Sequence, residues 1–179
     1  NAAVEVIKER LPENSPVLPR TIHAFAWEAI KQYQGFLVKT VAEDLDYMPD
    51  EGDFARVDEV RYTLGNRYRE NGVQYLYHDD VLKLFCELLD NGKFRRMFAD
   101  RYPLILVDEY QDSYGPIVEK FVEYFIEPGV APQFGFFGDA WQTIYQSNKA
   151  CGAISSDRLK VIRKGSNFRS ASRIVRLLN

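Results

Sequence analysis

The feature that most constrains this chain is a short apolar run followed at once by two carboxylates, Leu104-Ile105-Leu106-Val107-Asp108-Glu109. The apolar run predicts a strand buried on both faces, as in the centre of a parallel sheet. Ligands bind at the carboxyl ends of strands in open α/β sheets. Because a buried carboxylate needs a metal ion or a cationic partner, Asp108 is a candidate for holding Mg²⁺ and Glu109 for polarising a water. A strand that simply ends in polar loop residues would explain this stretch equally well.

Composition sets the limits within which this strand is interpreted. The 179 residues are 46% hydrophobic, which is enough for one sizeable core and a small subdomain. The net charge of −3 gives no sign of a nucleic-acid partner, although a local basic groove remains compatible with it. Cys86 and Cys151 lack any Cys or His ligand spacing, which predicts reduced thiols in a cytoplasmic protein. There is no signal peptide and no apolar run of membrane-spanning length, so no membrane partner is expected.

Periodicity along the chain predicts helices and strands in alternation. Helices are predicted over residues 1–11, 21–33, 79–89, 93–99 and 116–126, and from residue 171 onward; further strands are predicted over 133–137 and 159–162. This order argues for an α/β fold with a parallel sheet flanked by helices. Residues 38–77 are polar and contain three glycines, which we interpret as a small inserted subdomain that is mainly helical, with a helix over 57–68. The chain opens without Met inside a predicted helix, so we expect a piece of a longer protein.

Three polar clusters follow the predicted strands. They are Asp108-Glu109-x-Gln111-Asp112, Gly138-Asp139-Ala140-Trp141-Gln142-Thr143-Ile144-Tyr145 and Asn167-Phe168-Arg169-Ser170. Together they supply a metal-binding acid, a water-activating acid, a Gln that could sense a terminal phosphate and an Arg that could stabilise transferring charge, which are the parts of phosphoryl transfer. Taken singly, Arg169 is more simply a solvated surface charge. By the same reasoning Trp141 and Tyr145 are core or interface aromatics, and His23 is a hydrogen-bonded structural residue.

Together these motifs resemble the UvrD/Rep-like family of superfamily 1 DNA helicases. Leu-Val-Asp-Glu-Tyr-Gln-Asp (106–112) looks like helicase motif II, and Phe-Gly-Asp-Ala-Trp-Gln-Thr-Ile-Tyr (137–145) looks like motif III. Asn-Phe-Arg-Ser (167–170) is similar to motif IV, Thr-Ile-His-Ala-Phe (21–25) to motif Ib, and Asn-Ala-Ala (1–3) to the end of motif Ia. The five stretches follow the family's order and span nearly the whole chain.

The resemblance implies a partial RecA-like domain 1A of the P-loop NTPase type, formed by residues 1–37 and 78–179, with residues 38–77 as the inserted subdomain 1B. The cofactors would be ATP and Mg²⁺. The resemblance assigns roles residue by residue. Asp108 would bind Mg²⁺ and Glu109 would act as general base, with Asp139 and Phe168 binding the nucleotide and Gln142 and Arg169 completing catalysis; Thr21, His23, Phe25, Trp141 and Tyr145 would line the DNA path.

The resemblance also implies limits and leaves alternatives open. The phosphate-binding loop Gly-x-x-x-x-Gly-Lys-Ser/Thr is absent from these residues and would precede residue 1, so this chain alone should not hydrolyse ATP. After Tyr145 the chain reads Gln146-Ser147-Asn148-Lys149-Ala150, which lacks one base-stacking platform of the family. The leading interpretation is part of an ATP-driven translocase on single-stranded DNA or single/double-strand junctions. The alternatives are a sensing subunit of a Gabija-like phage-defence nuclease–helicase pair and the helicase part of a recombination helicase–nuclease.

Overall fold

The computed structural model describes residues 2–44, 47–48, 51–52, 56–139 and 150–163. Its α-helices are α1 (Ala2–Arg10), α2 (Ile22–Ile30), α3 (Gln34–Glu43), α4 (His78–Leu89), α5 (Gly92–Arg101) and α6 (Gly115–Phe121). Its strands are β1 (Glu51–Gly52), β2 (Glu59–Tyr62), β3 (Tyr68–Glu70), β4 (Val73–Leu76), β5 (Leu104–Asp108) and β6 (Gln133–Phe137). A 3₁₀ turn follows β5 (Tyr110–Asp112), and a π-helical segment (Val122–Ile126) continues α6. The fold is therefore mixed α/β, as the sequence predicts.

Several helix boundaries follow from local sequence signals. The Thr21 hydroxyl caps α2 by accepting a hydrogen bond from the Ala24 N–H at 3.3 Å, as residues of this type commonly do at helix starts. The Asn91 side chain accepts from the N–H groups of Lys93 and Phe94, so Asn91 caps the start of α5 in addition to following the end of α4. Pro116 lies in the first turn of α6, where its missing N–H is not needed. No helix among the residues described is long and apolar enough to cross a membrane.

The inserted segment contains a sheet, and the prediction of a mainly helical subdomain with a helix over residues 57–68 is wrong. The four short strands lie in the order β1-β3-β4-β2, with β3 and β4 antiparallel and the other two pairings parallel. Asn71 and Gly72 join β3 to β4 with φ values of 50° and 76°, the Asn-Gly turn that favours a tight hairpin. The sequence signal for this hairpin was present, but scattered apolar residues in the polar segment were misread as a helical stripe.

Strands β5 and β6 are parallel neighbours that form a two-stranded sheet among the described residues, and Ile105 lies opposite Phe134. The Phe134 ring packs against Phe121 at 4.8 Å between centroids, so α6 and the π-helical segment cover this face. The opposite face carries Leu104, Leu106 and Phe137, which are each 55% exposed. The prediction of strands buried on both faces is therefore wrong for the described residues. An apolar run of this length does not reveal whether one face or both are covered.

One apolar core joins helices α2 to α6 to both sheets, whereas α1 contributes no buried residue. Its centre is a group of phenylalanine rings from five elements, with centroid separations of 4.8 to 6.4 Å between packed pairs: Phe85, Phe94, Phe98, Phe121, Phe125 and Phe134. The inserted sheet contributes Val57, Val60 and Leu76 to the same core. The strand predicted over residues 159–162 does not form; these residues are irregular, and Val161 and Ile162 are exposed. The reason is that β-branched residues favour strands only where a neighbouring strand is available.

Candidate functional site

The carboxyl ends of β5 and β6 lie side by side and bring three predicted site residues to one edge of the sheet. Asp108 is paired in register with Phe137, and Gly138 and Asp139 follow directly. Asp108, Glu109 and Asp139 are all exposed. These carboxylates are therefore not buried, and the prediction that burial makes them require a cation is wrong. Their exposure instead leaves the edge open to a ligand from solvent.

Glu109 adopts an uncommon backbone conformation immediately after β5. Its φ of 48° and ψ of 46° lie in the left-handed region, which residues other than Gly, Asn and Asp rarely occupy. The Asp112 N–H donates to the Glu109 carbonyl at 3.0 Å and closes the 3₁₀ turn. The chain thus turns sharply at the strand end. Strained backbone of this kind is concentrated at functional sites.

Gln111 lies beneath this edge and links the two strand ends. Its side chain is 1% exposed. The Gln111 Nε2 donates to the Glu109 Oε2 at 2.8 Å, and the Gln111 Oε1 accepts from the Asp139 N–H at 3.3 Å. The sequence interpretation gave this residue no role of its own. The signal that could have found it is a polar residue three positions after a strand-terminal carboxylate, within a turn too short to expose every side chain.

The residues that follow 140–149 in the sequence also contact the turn after β5. The Gly152 N–H donates to the Gln111 carbonyl at 3.2 Å, and the Cys151 N–H donates to the Ser113 carbonyl at 2.9 Å. Asp139 and Gly152 are therefore both hydrogen-bonded to Gln111. Five predicted site residues lie outside the described residues: Trp141, Gln142, Tyr145, Phe168 and Arg169. The final helix predicted from residue 171 also lies outside them.

The residues that resemble motif Ib form the first turn of α2. Thr21 acts as the helix cap, and the Phe25 ring makes edge contacts with Phe85, Phe98 and Tyr102 at centroid distances of 6.0, 6.0 and 5.1 Å. Both residues therefore have a structural role in addition to the DNA contact that remains a prediction. A substitution at Phe25 would disturb packing before it reported on DNA binding.

His23 stacks on the second histidine of the chain. The His23 and His78 rings lie 3.3 Å apart between centroids at an interplanar angle of 17°, and the His78 Nδ1 lies 2.5 Å from the Tyr62 hydroxyl. The His23 Nε2 is buried without a hydrogen-bond partner. Burial, and next the neighbouring His78, lower the pKa of His23 from its ordinary 6.5 to about 4. His78 was not singled out from the sequence, although a chain with two histidines offers few partners for such a stack.

The carboxylates at the sheet edge suit a magnesium–nucleotide ligand better than a metal ion held by protein alone. Among the described residues no group of three or more His, Cys, Asp or Glu could hold a metal ion. Mg²⁺ is commonly bound through one or two carboxylates together with substrate phosphates and water. Asp108 and Asp139 at adjacent strand ends meet that requirement, and Asp108 follows the last core-facing residue of β5 directly.

Comparison with known proteins defines the class. A protein-family model described as the UvrD/REP helicase N-terminal domain matches residues 30–154, which is well over half of the chain. The match identifies a helicase-type protein. The chain belongs to the UvrD/REP helicase N-terminal domain family. No curated protein and no solved structure matched the chain.

Proposed function

We propose that this chain is part of a RecA-like motor domain that couples ATP hydrolysis to movement along single-stranded DNA. The observation that supports it most directly is the placement of Asp108, Glu109 and Asp139 at the adjacent carboxyl ends of two parallel strands. Membership of the helicase family supports the same reading. In this proposal residues 1–37 and 78–179 form the motor domain, and residues 38–77 form an inserted subdomain.

The proposed roles follow from side-chain chemistry and position. Asp108, with Asp139 beside it, would hold Mg²⁺, which when bound neutralises charge on the phosphates. Glu109 stands one residue further from the strand and is exposed, so its carboxylate can accept a proton from an attacking water.

The remaining catalytic and DNA-contacting roles rest on the sequence motifs. Gln142 would contact the terminal phosphate, Arg169 would stabilise the charge that develops on it, and Phe168 would stack on the base. Trp141 and Tyr145 would contribute aromatic faces to the single-strand path, because stacking on aromatic rings is tolerant of base sequence. Thr21, His23 and Phe25 would lie along the same path.

The experiment is ATP hydrolysis by the intact protein that carries these residues, with and without single-stranded DNA. Glu109→Gln keeps the size and shape of the side chain but removes the base. We expect it to retain ATP binding and to lose hydrolysis by about 10²–10⁴-fold. Binding of a fluorescent ATP analogue and steady-state turnover separate the two effects.

Glu123→Gln is the matched control. It makes the same chemical change at a residue of the π-helical segment, away from the sheet edge. It should leave both activities unchanged. Wild-type turnover by the Glu109→Gln variant would contradict the assignment of the base. Turnover that does not respond to single-stranded DNA would contradict the motor function.

A further inference from the structure

We propose that Gln111 is a positioning residue that holds the Glu109 carboxylate for catalysis and fixes it to the end of the neighbouring strand. This inference rests on the proposed function, because Glu109 must be the base for its position to matter. Gln111 touches neither the nucleotide nor the water in this scheme. It acts through Glu109, by one hydrogen bond on each side of its amide.

The amide suits the site because it needs a donor and an acceptor at once. The Nε2 group donates to the Glu109 carboxylate, and the Oε1 atom accepts from the Asp139 N–H. A carboxylate in place of the amide would repel Glu109, and an apolar side chain would leave both strand ends unlinked. Since hydrogen bonds to charged groups are stronger than neutral ones, the contact to Glu109 orients an otherwise exposed side chain. Glu109 accordingly keeps one carboxylate oxygen on Gln111, and the other is not needed for this contact.

Gly138 provides the space in which the amide lies. A Cβ atom at position 138 would come within 2.1 Å of the Gln111 Oε1 and 2.9 Å of the Tyr110 Cδ1. The second strand therefore approaches Gln111 more closely than any side chain would permit. The close approach makes the link short, and it explains why a glycine precedes Asp139.

The hydrogen bond between Gln111 and Glu109 also helps to hold the Glu109 backbone in its left-handed conformation. Residues held in sparsely populated regions persist only when surrounding contacts fix them. The Glu109 side chain is exposed, so few packing contacts can do this. The hydrogen bond from the buried Gln111 supplies a fixed anchor on the core side of the turn.

The decisive experiment measures ATP turnover by Gln111→Met in the intact protein. Met has nearly the same length and volume but cannot form either hydrogen bond. We expect kcat to fall by about tenfold to a hundredfold with little change in KM for ATP, because a small misplacement of a catalytic group has an effect of that order. The double variant Glu109→Gln/Gln111→Met should be no slower than Glu109→Gln alone, since residues that act as a unit are not additive.

Four outcomes separate this inference from the proposed function. The inference is supported if Gln111→Met lowers kcat in the wild-type background but does not lower it further in the Glu109→Gln background. Wild-type kcat for Gln111→Met, with Glu109→Gln inactive, overturns it and leaves the proposed function in place. Additive losses in the double variant also overturn it, because Gln111 would then act elsewhere. Wild-type turnover by Glu109→Gln overturns both.

A second pair of variants decides the matter if Gln111→Met does not fold. Gly138→Ala displaces the Gln111 amide without changing its chemistry, and it should lower kcat in the same way. Gly135→Ala is the control, because its Cβ would meet only the flexible end of Leu106, at 2.9 Å, and the edge of Phe137. Equal kcat for Gly138→Ala and Gly135→Ala would overturn the positioning role.

Discussion

At the scale of single residues, the candidate site combines a strained backbone with an exposed carboxylate. Glu109 has a φ of 48°, and its side chain forms a hydrogen bond with Gln111. The left-handed backbone costs stability and therefore does not benefit a residue that only has to fold. The combination is expected where a side chain is held for chemistry at some expense of stability.

The strain at Glu109 predicts that a Gly at this position gives a more stable chain than an Ala. Glu109→Gly and Glu109→Ala both abolish the contact with Gln111, but only Gly enters the left-handed region without steric cost. We expect Glu109→Gly to be more stable than Glu109→Ala by about 1 kcal/mol, or roughly 2–4 °C in melting temperature. Thermal unfolding of the two variants measures the difference. Equal melting temperatures would mean that the turn relaxes when the side chain is lost.

At the scale of elements, a buried ion pair fixes the inserted sheet to the helix that follows it. The Arg67 guanidinium, between β2 and β3, makes two hydrogen bonds to the Asp80 carboxylate, at 2.9 and 2.6 Å, and a third to the Met48 carbonyl. Asp80 is 1% exposed and also accepts from the Tyr77 N–H at the start of α4. One carboxylate therefore serves both the helix start and the contact with the sheet.

This pair predicts a large effect for a substitution that leaves Asp80 buried without its cation. Arg67→Met should destabilise the chain by about 3–5 kcal/mol, since breaking a buried ion pair leaves an uncompensated charge. Replacing both partners, as Arg67→Met/Asp80→Leu, should recover much of the loss for the same reason. Chemical denaturation of the three proteins measures these free energies of unfolding.

The control for this prediction is the exposed pair in β2. Arg61 contacts Glu59 at 2.8 Å, but both side chains lie in solvent. Arg61→Met should change the stability little, because exposed ion pairs contribute little. A loss at Arg67 no larger than the loss at Arg61 would show that the inserted sheet is not held by this pair.

At the scale of the whole molecule, the stacked histidines join the helices that precede and follow the inserted sheet. His23 lies in the first turn of α2 and His78 begins α4, and the two helices belong to the same apolar core. The His23 ring loses water on its Nε2 side and gains no hydrogen bond there. Protonation of His23 is therefore opposed by burial and by His78, and is favoured by Asp79.

The low pKa of His23 predicts a loss of stability in mild acid. The pKa of His23 is about 4 in the folded chain and near its ordinary 6.5 when unfolded, so the unfolded chain binds more protons between these values. Stability should therefore rise with pH from about 4 to 6.5 and be independent of this group above that range. Because the ring is partly exposed, solvent screening reduces the effect to the order of 1 kcal/mol.

Melting temperatures at pH 5 and pH 7 measure this effect. His23→Phe keeps a ring on His78 but cannot titrate, so it should lose less stability between the two pH values than the wild type. His78→Phe is the companion variant. It leaves burial, the main cause of the shift, in place and should retain most of the pH dependence. Identical pH dependence in wild type and His23→Phe would contradict the assignment.

The sequence by itself determined the central strands, most helices and the family. Leu104–Asp108 and Gln133–Phe137 form strands because their apolar runs lie between clear turn signals, and Thr21 caps α2 because its hydroxyl is adjacent to free N–H groups. These features depend on neighbours in the chain. The placement of Asp108 and Asp139 at the ends of neighbouring strands also follows from sequence, because consecutive strands usually pair and a helical connection between them makes the pair parallel.

Only the tertiary structure decided the contacts that depend on distant residues. It placed Gln111 between the two strand ends and His23 against His78, and it exposed one face of β5. It also formed strands in the inserted segment, where the sequence predicts a helix over 57–68, because strand pairing there is partly between residues that are distant in the chain. Local periodicity describes what one segment can bury, whereas pairing and burial depend on which segments meet, and that is fixed only when the whole core forms.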